Sequence, residues 1–96
     1  MKYRLTVAAD TDLTNVFIEG VRHFGLAQAN AYFDRLERAL QTIADNPQIA
    51  RQRTEIEPPV RVHPFGSHVV IYEIDAQGVL ILRVRHHLED WMNDPL

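Results

Sequence analysis

Apolar spacing along the chain changes period several times, and each change predicts an element. Tyr3, Leu5 and Val7 alternate with Lys2, Arg4 and Thr6, the pattern of a half-buried strand. Ala8-Ala9 and Asp10-Thr11-Asp12 follow, supplying capping oxygens and negative charge for a helix start. Leu13, Val16, Phe17, Val21 and Phe24 then recur at helical spacing as one stripe. Gly20 interrupts that stripe at a cost of about 1 kcal/mol of helix propensity. A close helix–helix approach would offset the cost, so Gly20 is expected to be a packing position, with Gly25 closing the helix. The second helix is the stronger pattern. Ala29, Tyr32, Phe33, Leu36, Ala39, Leu40, Ile43 and Ala44 form one face, and Gln28, Asn30, Asp34, Glu37, Arg38 and Gln41 the other. Asn46-Pro47 ends it. So short a connection at Gly25 predicts an antiparallel helical hairpin.

Residues 48–59 show no period and read as an irregular connection, long enough to suggest a functional loop. Three strands follow: Val60 to Phe65, Ser67 to Ile74 and Val79 to His86. Gly66 and Asp75-Ala76-Gln77-Gly78 mark the turns between them. The tail from His87 to Leu96 suits one helical turn around Leu88, Trp91 and Met92. The prediction is a single α+β domain over residues 1–96, ordered β-α-α-β-β-β. The helical hairpin should pack on one face of a mostly antiparallel four-stranded sheet.

Composition narrows the classes. Apolar residues make up 46 % of the chain, ordinary for a folded domain. There is no cysteine, which excludes disulfides and thiolate metal sites and suits a reducing cytoplasm. No apolar run approaches the length of a membrane span, and Met1-Lys2-Tyr3-Arg4-Leu5 opens without the long apolar stretch expected of a signal peptide. The formal net charge is −3, with both halves slightly acidic, so no basic field exists for long phosphate contact. Nine of the ten basic residues are arginines, the cation suited to bidentate pairing with carboxylates or phosphates.

Strand alternation sorts the candidate chemistry. Read with period two, Leu80, Leu82 and Val84 share a face opposite Ile81, Arg83 and Arg85, while Val60 and Val62 oppose Arg61 and His63. One sheet face would then meet the helices, and the other would display Arg61, His63, Arg83 and Arg85 as an anion or carboxylate site. The alternative is solvated charge paired with Glu55, Glu57, Glu73 or Asp75, worth little energetically. Of the five histidines, His63 and His68 flank Gly66 and could face each other across a hairpin. Alternation sends His86 and His87 to opposite faces. No helical His-x-x-x-His pair and no nucleophile elbow around the lone serine, Ser67, is present, so neither a metal nor a cofactor is implied. Trp91 either caps the core or anchors a partner.

In order and spacing these residues resemble the RelE/ParE toxin family of bacterial type II toxin–antitoxin modules, nearer its ParE branch. The likeness is carried by Tyr3-Arg4-Leu5 with Ala8-Ala9-Asp10 and Asp12-Leu13, by Gly25 with Ala27-Gln28-Ala29, and by Leu40 through Ala44-Asp45-Asn46-Pro47 then Arg51. Arg61, Gly66-Ser67-His68, Ile71-Tyr72, Gly78, Arg83-Val84 and His86 with Asp90 complete it. The resemblance implies a cytoplasmic, non-enzymatic toxin that binds and inhibits DNA gyrase. A co-expressed ParD-like antitoxin would neutralise it in a hetero-oligomer, with no direct nucleic-acid or membrane binding by this chain. Candidate target or antitoxin contacts are Arg51, Arg53, Arg61, His63, Arg83, Arg85, His86 and Trp91. RelE-like members instead cleave mRNA on the ribosome with basic residues and often a late tyrosine. Here no tyrosine follows Tyr72, and only Arg61, Arg83 and His86 could form a catalytic set. A third reading is a family member that only binds its antitoxin.

Overall fold

The computed structural model describes residues 2–96, and its first helix starts earlier than the capping signals suggest. After strand β1 (Tyr3–Leu5), helix α1 runs Val7–Phe24. Its N-cap is Thr6, whose hydroxyl accepts from the Ala9 N–H at 3.0 Å, so Asp10 falls inside the first turn. Helix α2 spans Leu26–Asp45, with Gly25 alone between the helices. A 3₁₀ turn follows at Pro47–Ile49, then β2 (Gln52–Arg53), β3 (Val60–Phe65), β4 (His68–Asp75) and β5 (Gly78–His86).

The sheet has five strands rather than four, in the order β1-β5-β4-β3-β2. The extra one, β2, is two residues inside the connection that shows no period. Its two residues pair with Arg61 and Val60. Strand β1 lies at the opposite edge, parallel to Val79–Ile81 of β5, and all other pairings are antiparallel.

The helical hairpin covers one face as expected. Leu13, Leu36, Leu40 and Ile43 pack with Val70, Tyr72, Val79, Ile81 and Val84. Gly20 is the packing position anticipated: a Cβ there would lie 3.3 Å from the Ala29 Cβ, so the helices touch at that point. Tyr72 ties the far end of α2 to the sheet. Its hydroxyl donates to the Pro47 carbonyl at 2.8 Å and accepts from the Ala50 N–H at 3.4 Å.

The second face is not bare. Val60, Val62, Val69 and Ile71 form another apolar cluster, roofed by Ile56 of the connection and by Trp91 and Leu82. Val69 to Tyr72 is therefore buried on both sides, which explains why that run is continuously apolar instead of alternating.

Candidate functional site

Register decides where the arginines go, and it divides them. Arg61 pairs with Tyr72 and His63 with Val70, so both lie on the face shared with the helices. Arg83 pairs with Ile71 and Arg85 with Val69, residues whose side chains reach the second cluster, so both lie on the opposite face. The shared arginine face expected from alternation does not exist. Two physical reasons account for it. Strand β5 carries one extra residue, Leu82, opposite the Ile71–Tyr72 step, and a bulge of this kind reverses the phase of every side chain beyond it. Val79 and Ile81 face the helices before the bulge, and Val84 does after it. On β3, Val60 and Val62 find their cover in Ile56 and Trp91 and not in the helices.

The candidate cations are mostly engaged within the chain. Arg83 holds Asp12 by two hydrogen bonds, 2.6 and 2.9 Å, and also donates to the Leu96 carbonyl at 2.8 Å. Asp12 accepts as well from the Val84 N–H at 3.0 Å, closing the edge of β5 beyond the end of β1. Arg85 pairs with Glu89 and donates to the Asp94 carbonyl at 2.8 Å. Arg61 donates to the Ala50 carbonyl at 2.6 Å. Arg53 lies over the Trp91 ring at 5.7 Å, and Trp91 caps the second cluster. Arg51 is exposed and grips Glu55 bidentately, holding that carboxyl down to about 2. Burial pulls the half-buried His63 imidazole below its ordinary value. His63 and His68 are not opposed across the hairpin, since His68 pairs with Phe65 and with His86.

Side chains do converge in a cleft of about 720 Å³ between α1, α2, the β3–β4 turn and the end of β5. Its base is a polar knot. The Tyr32 hydroxyl shares a hydrogen bond with His68 Nδ1 at 2.7 Å and accepts from the Ser67 N–H at 3.2 Å, with the Phe65 carbonyl a second acceptor 3.4 Å away. Gly66 has φ +54°, and a Cβ there would lie 2.7 Å from the Tyr32 oxygen, so the turn requires glycine on both counts. The His68 and His86 rings stand 5.4 Å apart, and His86 stacks on His87 at 4.8 Å. Those last two do not go to opposite faces, because β5 ends at His86 and alternation stops there. Burial, reinforced by nearby His86, lowers the pKa of His68, and burial raises that of Tyr32. Val16, Phe17, Phe33 and Val84 supply apolar lining. Sequence reasoning assigned Tyr32 to the helix core and gave His68 no partner there. The pair lies 36 residues apart, and no local pattern marks it.

The conditional catalytic set is not assembled. Arg61 lies four residues along β3 from Phe65, the residue in the row of His68 and His86, so roughly 13 Å of strand separates them, and β4 lies between. Arg83 is committed to Asp12. Among the described residues there is no cluster of histidines and carboxylates able to hold a metal ion.

The family model described as "ParE toxin of type II toxin-antitoxin system, parDE" matches residues 3–91. Toxin ParE1 of Mycobacterium tuberculosis is 32 % identical over 90 residues, covering 93 % of this chain and 92 % of that protein. Toxin ParE1 of Caulobacter vibrioides is 31 % identical over 84 residues, covering 88 % and 86 %. Among solved structures, the chromosomal ParDE TA system from P. aeruginosa contains a chain that superposes with a TM-score of 0.76. At 17 % identity it spans 90 % of this chain and 95 % of its own, a likeness of fold. With register, two-faced core and near full-length sequence agreement in hand, the chain belongs to the ParE toxin family of type II toxin–antitoxin systems.

Proposed function

We propose that this chain is the toxin of a ParDE-type module, that it arrests growth by binding DNA gyrase, and that a cognate ParD-like antitoxin holds it inactive in a hetero-oligomer in the cytoplasm. The observation that carries this reading is the ParE family match over residues 3–91 with two ParE1 relatives above 30 % identity. The net charge of −3 fits a protein target better than ribosomal RNA. The separation of Arg61 from His86 and the commitment of Arg83 to Asp12 favour a binder over an mRNA endonuclease. The helical hairpin offers a docking surface, since Ile18, Phe24 and Leu26 are exposed on it and Phe24 also lines the cleft. Among the described residues no helix is long and apolar enough to cross a membrane.

Induction of this chain alone in a bacterial host should stop growth, and co-induction of the neighbouring antitoxin should restore it. Mapping mRNA 5′ ends after induction separates the readings. Unchanged ends support the binder. New cuts that disappear in Arg61→Ala or Arg83→Ala chains that still fold would establish the endonuclease instead. Growth unaffected by the chain alone would leave only the antitoxin-binding role.

A further inference from the structure

Two imidazoles at the base of the cleft have donors to spare. His68 Nδ1 lies 2.7 Å from the Tyr32 hydroxyl, and His86 Nδ1 accepts from the Leu88 N–H at 3.2 Å. Placing the Tyr32 hydrogen on its shorter contact, His68 at 2.7 Å against the Phe65 carbonyl at 3.4 Å, assigns both Nδ1 atoms as acceptors and leaves a hydrogen on each Nε2. Neither Nε2 has a hydrogen-bond partner among the described residues. The rings are 5.4 Å apart and line the same cleft.

The cleft's charges point the same way. Asp12, Glu19 and Glu89 line it, and each is already spoken for: Asp12 by Arg83, Glu19 by Arg22 and His23, Glu89 by Arg85. Arg35 lies over the Tyr32 ring at 5.9 Å and has no carboxylate partner among the described residues. The uncommitted polar groups lining it include the two imidazole Nε2 positions, the Arg35 guanidinium and the carboxamides of Asn15 and Gln28, beside the edge-to-face rings of Phe17 and Phe33.

We infer that this cleft is a carboxylate receptor for a peptide segment of the partner. An Asp or Glu of that segment accepts from the Nε2–H groups of His68 and His86 near Arg35, and an adjacent apolar side chain seats on Phe17 and Phe33. A single carboxylate flanked by apolar groups suits the site. A polyanion does not, because Asp12, Glu19 and Glu89 surround the donors and the whole chain is acidic. The inference rests on the toxin–antitoxin reading only for who supplies the segment.

Binding of this kind is linked to protons. A carboxylate beside an imidazole favours the charged ring, so the complex takes up protons and tightens as pH falls. The groups that face the pair are Asp12, Glu19 and His23 from α1, Tyr32 and Arg35 from α2, and Arg83, His87 and Glu89 from β5 and the segment after it. His87 opposes protonation of His68 and Glu89 favours it. Protonation of His68 leaves the turn attached, because the Tyr32 oxygen can accept from it and turn its own hydrogen to the Phe65 carbonyl 3.4 Å away.

Two arms test this. In the first, the full chain is titrated calorimetrically with its full-length antitoxin between about pH 8 and about pH 6 in buffers of different ionisation enthalpy. Proton uptake and affinity about tenfold tighter at the acid end are expected. A His68→Gln/His86→Gln chain, its folding verified by melting, should lose about tenfold in affinity and most of the pH dependence. Affinity independent of pH, or a double variant that binds like the parent, overturns the inference. In the second arm a short acetylated peptide with phenylalanine beside glutamate is added to the chain alone, and the His68 and His86 ring proton signals are followed. Movement with the glutamate peptide and none with its glutamine counterpart is expected. Equal movement with both peptides, or none with either, overturns the receptor whatever the antitoxin does. Failure of the antitoxin to bind, with the glutamate peptide still moving the rings, overturns the module reading alone.

Discussion

Gly66 and His68 show how much of this site depends on two positions. Any side chain at Gly66 meets both a left-handed backbone and the Tyr32 oxygen. Gly66→Ala should cost about 1–3 kcal/mol in chemical denaturation, and a Tyr32→Ala background should remove part of that cost. A Gly66→Ala chain that unfolds at the parent's midpoint would mean that Tyr32 is free to withdraw. His68 sets a pH dependence whose sign follows from its lowered pKa. A base with a folded pKa below its unfolded value contributes stability that is fully present above about 6.5. That contribution is lost as pH falls from there through the folded value. Glu55, Asp75 and Glu89 have lowered pKa values, so their contributions persist until pH reaches the carboxylate range, about 4. The denaturation midpoint should therefore drop between about pH 7.5 and about pH 5.5 in the parent and drop less in His68→Gln. Equal slopes in the two chains would assign the dependence to other groups.

Strand β5 and the end of α2 are held by side chains that a list of functional candidates treats as free. Arg83 and Asp12 are both part-buried, with side-chain exposures of 23 % and 13 %, and Asp12 also satisfies the Val84 N–H. Asp12→Ala and Arg83→Ala should each destabilise by about 1–3 kcal/mol, with clear coupling in a double-mutant cycle. Additive losses would show that the pair is incidental. Tyr72→Phe leaves the Pro47 carbonyl and the Ala50 N–H without their partner and should cost about 1–2 kcal/mol in thermal unfolding. The helices and the three long strands were legible because their apolar periods are sustained over many residues. Strand β2 was not, since two residues carry no period. The start of α1 was displaced because Asp10-Thr11-Asp12 offers the same capping chemistry as Thr6. The facing of β5 was lost to a single extra residue, which counting by twos cannot detect. The apolar run Val69 to Tyr72 did hold a usable signal, that the sheet is covered on both faces.

At the scale of the whole molecule, the sheet is a central layer with a helical hairpin on one side and a loop-and-tail cover on the other. Most of its candidate cations brace that cover or the end of α2, and what is left open is the cleft at the end of β5. Such an arrangement suits recognition of a protein partner, and the family match says which kind of system supplies it. The central claim is that this chain acts by binding gyrase. The most direct test is a supercoiling assay with purified gyrase and this chain at saturating concentration, with and without its antitoxin. Loss of supercoiling that the antitoxin restores is the predicted result, and full gyrase activity at saturating toxin would contradict it.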